Sequence, residues 1–342
     1  MHIASIGIEL GKTSFHLVAL GERSKVLIRK KFSRAQLLSY TAKLPTSLIG
    51  WEACAGSHFL GGRLREQGHQ VRLIPAQFVK PYRKSNKNDF LDAEAMAEAV
   101  TKQNMRFAQL KTQEQQDWQA MHRVRDRLVQ RRPALIHEIR GFLLERGITF
   151  AARPIHLGQN LPGAIEDAEQ NLSPRLRGLL DRLWQEGKQI ETDVEAISDE
   201  MERISKDDAR CRQLRQIPGF GPLISTATMA AIGNGAAFRR GRDFAAWVGV
   251  VPRPHSSGGQ QKLYGIRKRG NVDLRRRLIH GARSVWFRVK YDTGGFGQWV
   301  RRLAQRAPRH KVVVAIANKL ARIAWGVLAG GRIFEASKLQ AA

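Results

Sequence analysis

Cysteine is almost missing from this sequence, and acidic residues are scarce beside basic ones. Two cysteines, Cys54 and Cys211, stand far apart with no Cys-x-x-Cys spacing. That excludes a disulfide scaffold or a zinc ribbon and fits a reducing cytoplasm. No stretch reads as a signal peptide or an unbroken membrane span. The most apolar late segment, KVVVAIANKLARIAWGVLAGG, is interrupted by Lys319 and Arg322 and reads as an amphipathic helix. A phosphate-binding P-loop is lacking too, although Gly11-Lys12-Thr13 invites one. The motif needs four residues between its first glycine and the Gly-Lys pair; Gly7 leaves three, and the required position holds Ile6.

Against 58 Lys and Arg the chain sets only 30 Asp and Glu, a formal charge of +28 over 342 residues. The imbalance is regional. Residues 231–342 carry 23 Lys and Arg against 4 Asp and Glu, a net of +19, whereas residues 161–210 carry 13 acids against 7 bases, a net of −6. A segment so basic repels itself unless a polyanion neutralises it, so nucleic acid is the expected partner. An anionic membrane is disfavoured, because no lipid anchor or terminal basic helix is present. A hydrophobic content of 42% over this length suffices for two or three domains with their own cores.

The first hundred residues alternate in type. HIASIGIE, SFHLVAL and KVLIRKKF read as three successive strands, SLIGWEA as a fourth and QVRLIPA as a fifth. SRAQLLSYTAKL, with Ser33 as its N-cap, SHFLGGRLREQG and NDFLDAEAMAEAVTK read as helices. Three hairpin-linked strands followed by alternation predict a mixed α/β sheet of the ribonuclease H-like type. Residues 114–147 read as mostly helical with a break near Pro133. Leu183, Ile190, Val194, Ile197, Met201 and Ile204 form a heptad seam with Gly187 at the skipped position, which serves either an intramolecular helical hairpin or a coiled coil between copies. A separate, mainly helical segment follows from about residue 214.

Four carboxylates stand out by position. Glu9 ends the first strand, Glu52 ends the fourth, and Asp89 and Asp92 open the third helix one turn apart. In a ribonuclease H-like sheet the first and fourth strands are neighbours and that helix packs over them, so all four acids converge. Clustered like charges need cations, and an all-oxygen site suits Mg2+ or Mn2+, two of which can bracket a phosphodiester. The plain alternatives are a helix cap for Asp89, a dipole partner for either aspartate and a surface acid for Glu9. Pro218-Gly219-Phe220-Gly221 predicts a tight turn between helices, either ordinary or of the helix-hairpin-helix kind, whose backbone N–H groups bind phosphate. His255-Ser256-Ser257-Gly258-Gly259 reads as a flexible linker or as a loop presenting a nucleophilic serine, with Tyr264 as rival nucleophile. Lys262, Arg267, Lys268 and Arg269, with Arg275 in the following helical segment, are the candidate phosphate ligands.

Together, GIELGK, WEACAG, NDFLDAEAMAE, IPGFGPLIS and FAAWVGVVPRPHSSGG…KRGNVDLRRRL resemble the DEDD transposases of insertion sequences, the bridge-RNA-guided serine recombinases. The resemblance runs over nearly the whole chain in the same order. It implies a RuvC-like catalytic domain at 1–112, a helical coiled-coil region at 113–210 and a C-terminal transposase domain at 211–342 that binds DNA and RNA and bears the serine. It implies that Glu9, Glu52, Asp89 and Asp92 hold the metal and that Ser257 is the nucleophile, with Ser256 one residue away. The family's first acid is usually aspartate; Glu9 shifts that carboxylate by a methylene. The implied partners are double-stranded donor and target DNA, a structured guide RNA and further copies of the chain, as a dimer or tetramer with shared active sites. The implied location is the bacterial cytoplasm, on the nucleoid. Two rivals remain: a hydrolytic nuclease or Holliday-junction resolvase, and a non-enzymatic nucleic-acid-binding protein; a phosphotransferase of the actin and sugar-kinase type shares the fold and a Gly-rich first hairpin but leaves the basic C-terminal domain without a role.

Overall fold

The computed structural model describes residues 2–82, 88–260, 262–288 and 294–335. The chain divides into two compact units, Met1–Gln113 and Glu114–Ala342.

In the first unit, β1 (Ser5–Leu10), β2 (Phe15–Leu20) and β3 (Val26–Phe32) form an antiparallel meander. β4 (Leu48–Glu52) joins β1 in parallel and β5 (Gln70–Ile74) joins β4 in parallel, giving the order β3-β2-β1-β4-β5. This mixed sheet is consistent with a ribonuclease H-like fold. Gly11 donates its N–H to the Ser14 carbonyl at 3.0 Å, so Gly-Lys-Thr is a hairpin turn between β1 and β2. α1 (Arg34–Thr41) starts at Ser33, whose hydroxyl accepts from the Gln36 N–H while the Gln36 side chain accepts from the Ser33 N–H, a capping box. α2 (Ser57–Glu66) follows β4. A one-turn helix the sequence did not predict, α3 (Ala76–Val79), follows β5, so the acid-bearing helix is the fourth, α4 (Asp89–Ala99). Ile6, Ile8, Leu17 and Trp51 cluster with Leu37 of α1 and Leu60 and Leu64 of α2. Val18 and Leu20 meet Ala93 and Ala97 of α4.

α4 lies flat on the sheet because β1 carries glycine beneath it. A Cβ on Gly7 would stand 1.8 Å from the Ala93 carbonyl oxygen and 2.5 Å from the Ala97 nitrogen, both backbone atoms that cannot rotate away. Gly7→Ala is therefore expected to destabilise the unit by about 3 kcal/mol, as overpacking of a fixed interface does. Denaturant unfolding monitored by circular dichroism measures the loss.

In the second unit, α5 (Gln113–Leu144) runs unbroken through Pro133, so the break expected there does not occur. α6 (Pro154–Glu166) leads to α7 (Pro174–Asp207), which lies antiparallel to α5. Arg125 Nε reaches Ser198 Oγ at 2.8 Å, and further along α5 Arg131 and Arg132 reach Glu186 at 2.7 Å and Glu191 at 2.8 Å, earlier on α7. Leu183, Ile190, Val194 and Ile197 of the heptad seam pack with Leu128, Leu135, Ile136 and Ile139, so the seam is filled within the chain. At the skipped position, a Cβ on Gly187 would approach the Leu135 side chain to 3.2 Å, which keeps that position small.

α8 (Ala209–Arg215), α9 (Pro222–Ile232), α10 (Gly241–Val248), the hairpin β6 (Pro252–Pro254) and β7 (Leu263–Ile266), α11 (Val272–Arg288), α12 (Gly295–Arg306) and α13 (Arg309–Gly330) complete this unit. Residues 336–342 of the C-terminal span, and Gln261 of the serine loop, lie outside the described residues. α13 is the one helix among the described residues that is long and apolar enough to cross a membrane, and half of its apolar window is buried. Val312, Ile316, Leu320 and Ala324 seat it in the unit's core.

Candidate active site

Strand alternation puts Ser5, Gly7 and Glu9 on one face of β1. That face belongs to α4: the Ser5 hydroxyl donates to the Ala97 carbonyl at 2.7 Å, and Gly7 abuts Ala93 and Ala97. The contacts also set direction. Ala97 meets Ser5 and Ala93 meets Gly7, so α4 runs against β1 and its first turn lies toward Glu9. On the neighbouring strand, Gly7 pairs with Gly50, and a Cβ on Gly50 would strike Val100 at 2.6 Å. Two residues further, Glu52 comes level with Glu9 on the same face. Glu9, Glu52, Asp89 and Asp92 therefore lie at one end of the sheet, on the side α4 covers. Asp92 is 1% exposed, whereas Asp89 opens to solvent.

His16 also belongs to this group, and sequence reading missed it. It sits opposite Glu9 in the β1–β2 ladder, and its Nδ1 lies 3.4 Å from Asp89 Oδ2. Its ring meets Phe90 edge-on at 4.7 Å between centroids. The available signal was the short turn at Gly11, which fixes the pairing of Glu9 with His16.

The acids share a face without closing on a common point. Among the described residues, no three His, Cys, Asp or Glu side chains stand close enough to hold one metal ion together. The tightly converged quartet expected from the sequence is thus an open one, with Asp89 drawn to His16. The donor chemistry still fits a hard divalent cation: four carboxylates from three elements, one of them buried, with strand neighbours about 4.8 Å apart to bring Glu9 and Glu52 together.

Cys54, just beyond β4, senses this charge. Burial pushes its thiol pKa up, and the Glu52 and then the Glu9 carboxylates push it further. A cation that neutralises both glutamates removes the second effect, so the thiolate fraction rises at fixed pH. Saturating Mg2+ or Mn2+ is expected to accelerate iodoacetamide labelling of Cys54 severalfold, read by peptide mass spectrometry, and Glu9→Gln/Glu52→Gln should remove the response.

In the second unit, Ser257 occupies a corner of a closed hairpin, not a flexible linker. Gly258 and Gly259 have φ of +56° and +77°, and the Gln260 N–H donates to the Ser257 carbonyl at 3.1 Å. Left-handed backbone at both central positions is the two-residue type I′ turn that joins twisted strands. The His255 N–H donates to the Lys262 carbonyl at 2.9 Å, so the ladder reaches the corner without a slip from Pro254 and Leu263. Ser256, Ser257, Lys262 and Tyr264 are exposed. The His255 ring meets Tyr264 edge-on at 5.6 Å, and the Arg253 guanidinium lies 5.4 Å from the Tyr264 centroid.

Arg267, Lys268 and Arg269 are all exposed. Arg275 is not the surface ligand expected of it. It is 8% exposed, and its Nη1 donates to the Val248 carbonyl at 3.0 Å and the Arg269 carbonyl at 3.1 Å. Its charge is committed to holding the basic loop against α10. Gly219, with φ +82°, is required by packing: a Cβ there would lie 2.6 Å from the Gly281 carbonyl oxygen of α11. That face of the Pro218–Gly221 turn is closed to a phosphate. Gly221 opens α9, and its carbonyl accepts from the Ser225 N–H at 3.0 Å.

Residues 6–147 match the profile of a DEDD transposase family of the IS110 type, and residues 211–297 match the transposase family IS116/IS110/IS902. The transposase for insertion sequence element IS1328 of Yersinia enterocolitica is 41% identical over 97% of this chain and 99% of its own length. A probable family 20 transposase of Pseudomonas aeruginosa is 41% identical over 96% of this chain and 97% of its own. The transposase for insertion sequence element IS1111A of Coxiella burnetii is 40% identical over 95% and 90%. With both halves matched and relatives alike from end to end, the chain belongs to the IS110 family of insertion-sequence transposases, DNA-processing enzymes with a DEDD domain.

Proposed function

We propose that this transposase carries out RNA-guided DNA strand exchange through a phosphoserine intermediate, with Ser257 as nucleophile and Glu9, Glu52, Asp89 and Asp92 as ligands of Mg2+ or Mn2+. The observation that carries the reading is the gathering of four acids at one sheet end, on the side covered by α4. An exposed serine at a hairpin corner, in a region of net positive charge, supports the covalent step. The first unit acts as the RuvC-like part, and the helical region 113–210 joins it to the serine-bearing part at 211–342.

The chemistry balances as a transesterification. Ser257 Oγ forms a bond to a backbone phosphorus while one phosphoester P–O bond of the strand breaks. The hydroxyl proton passes to a general base, and the departing strand oxygen takes up a proton. The ester is conserved in the phosphoserine, so a second strand end regenerates the serine by attacking the same phosphorus. When bound, the divalent ion supplies charge neutralisation at the phosphate. Lys262, Arg267, Lys268 and Arg269 hold the backbones of DNA and guide RNA, with the α9 N-terminus at Gly221 as a further anion contact. The enzyme works in the bacterial cytoplasm on the nucleoid, as a dimer or tetramer.

Incubation with donor DNA, target DNA and the nucleic acid that co-purifies tests the reading. A protein band linked to DNA on a denaturing gel, together with one discrete structured RNA on sequencing, is the expected result. Cleavage with no linked species assigns the activity to a hydrolytic nuclease instead.

A further inference from the structure

The second unit contains an open groove of about 1400 Å³, walled by the β6–β7 hairpin, α13 and the start of α10. It is larger than the roughly 300–1,000 Å³ of ordinary small-molecule sites. On its described wall seven Lys and Arg stand against one acid, Glu335, so an anion is the complementary occupant. Aromatic rings lie among the cations. Trp299 and Tyr264 both line the groove, and Tyr264 is 49% exposed. Lys319 Nζ lies 4.5 Å from the Trp299 ring centroid. Burial, and then Arg322 one turn on, lower the Lys319 pKa, so two cations share a partly dried wall. Asn318 donates to the Val250 carbonyl at 3.3 Å and ties this wall to the base of the serine hairpin.

Phosphate binding alone needs no aromatic rings in a concavity. Rings among cations suit a strand whose base faces are free to stack, and in a duplex those faces are hidden. The family acts on DNA, and one wall of the groove is the hairpin that carries Ser257. We propose that the groove holds an unpaired DNA strand of several nucleotides beside the serine hairpin, with a base stacked on Tyr264, the Trp299–Lys319 pair, backed by Phe296, as the opposite wall, and phosphates on Lys268, Lys311 and Arg322. The strand's placement beside the cut rests on the reading of Ser257 as nucleophile; the groove's preference for unpaired DNA does not.

The test uses the full chain and three labelled probes of one sequence: single-stranded DNA, duplex DNA and single-stranded RNA. Fluorescence anisotropy gives the affinity of each for the wild type, Trp299→Leu and Lys319→Gln. The second variant keeps the stem of the side chain and stands in should Trp299→Leu fail to fold. Single-stranded DNA is expected to bind more tightly than the other two. Each variant should weaken it on the order of tenfold while leaving duplex binding unchanged. An iodouracil-bearing strand should photocrosslink to peptides holding Trp299 or Tyr264. Equal binding of strand and duplex, unchanged by both variants, overturns the proposal. So does a preference for RNA, or crosslinking confined to other peptides. Strand binding that persists in a protein forming no DNA-linked species sinks the serine reading and leaves the groove standing; an adduct formed without dependence on Trp299 or Lys319 does the reverse.

Discussion

Ser257→Ala abolishes the DNA-linked species and lowers strand exchange on the order of 1000-fold or more, as removal of a nucleophile does. Alanine takes away one oxygen at an exposed hairpin corner and leaves the turn's two left-handed glycines and its Gln260–Ser257 hydrogen bond in place. DNA binding therefore stays as it is, and the loss is confined to chemistry. Ser256→Ala is the control. Adjacent residues on a ribbon face opposite ways, so only one of the two hydroxyls points to the substrate. Gel detection of the adduct and single-turnover cleavage measure both variants. An adduct that survives Ser257→Ala moves the role to Ser256 or Tyr264.

Asp92→Asn lowers cleavage on the order of 100-fold or more, with the fold retained. The substitution is nearly isosteric but replaces an anionic oxygen ligand by a weaker neutral one and removes a charge that a divalent ion would neutralise. Asp92 sits against the sheet at 1% exposure on the same side as Glu9 and Glu52, so the lost charge cannot be replaced from solvent. The dependence of the cleavage rate on Mg2+ concentration should shift to higher concentration, with the thermal melting temperature little changed. Asp89→Asn gives the comparison, because Asp89 also touches His16. Wild-type rates in both variants would reduce the acids to helix-terminal decoration.

Much of the first unit was readable because its signals are local. Branched runs marked the strands, Ser33 marked a helix start, and the strand order then set β1 beside β4, which brings Glu9 level with Glu52. What stayed hidden depended on partners distant in sequence. His16 gains meaning only through its cross-strand neighbour and the start of α4. Arg275 looked like one more surface cation in a basic run, and only the fold turns it toward the Val248 carbonyl. Gly219 looked like a phosphate-turn glycine, yet its requirement comes from α11, far along the chain. Pro133 suggested a break, but the tertiary contacts on either side, Leu128 and Leu135 among them, keep α5 continuous.

The register of the β6–β7 ribbon has a consequence for how this gene can change. Pro254 with Leu263, His255 with Lys262 and Ser257 with Gln260 keep one register, so the described residues up to the corner have a fixed side. Loss or gain of one codon between His255 and Lys262 would exchange the two sides and hand the outward position from one hydroxyl to the next. Drift in composition along this stretch is cheap, whereas drift in its length is not.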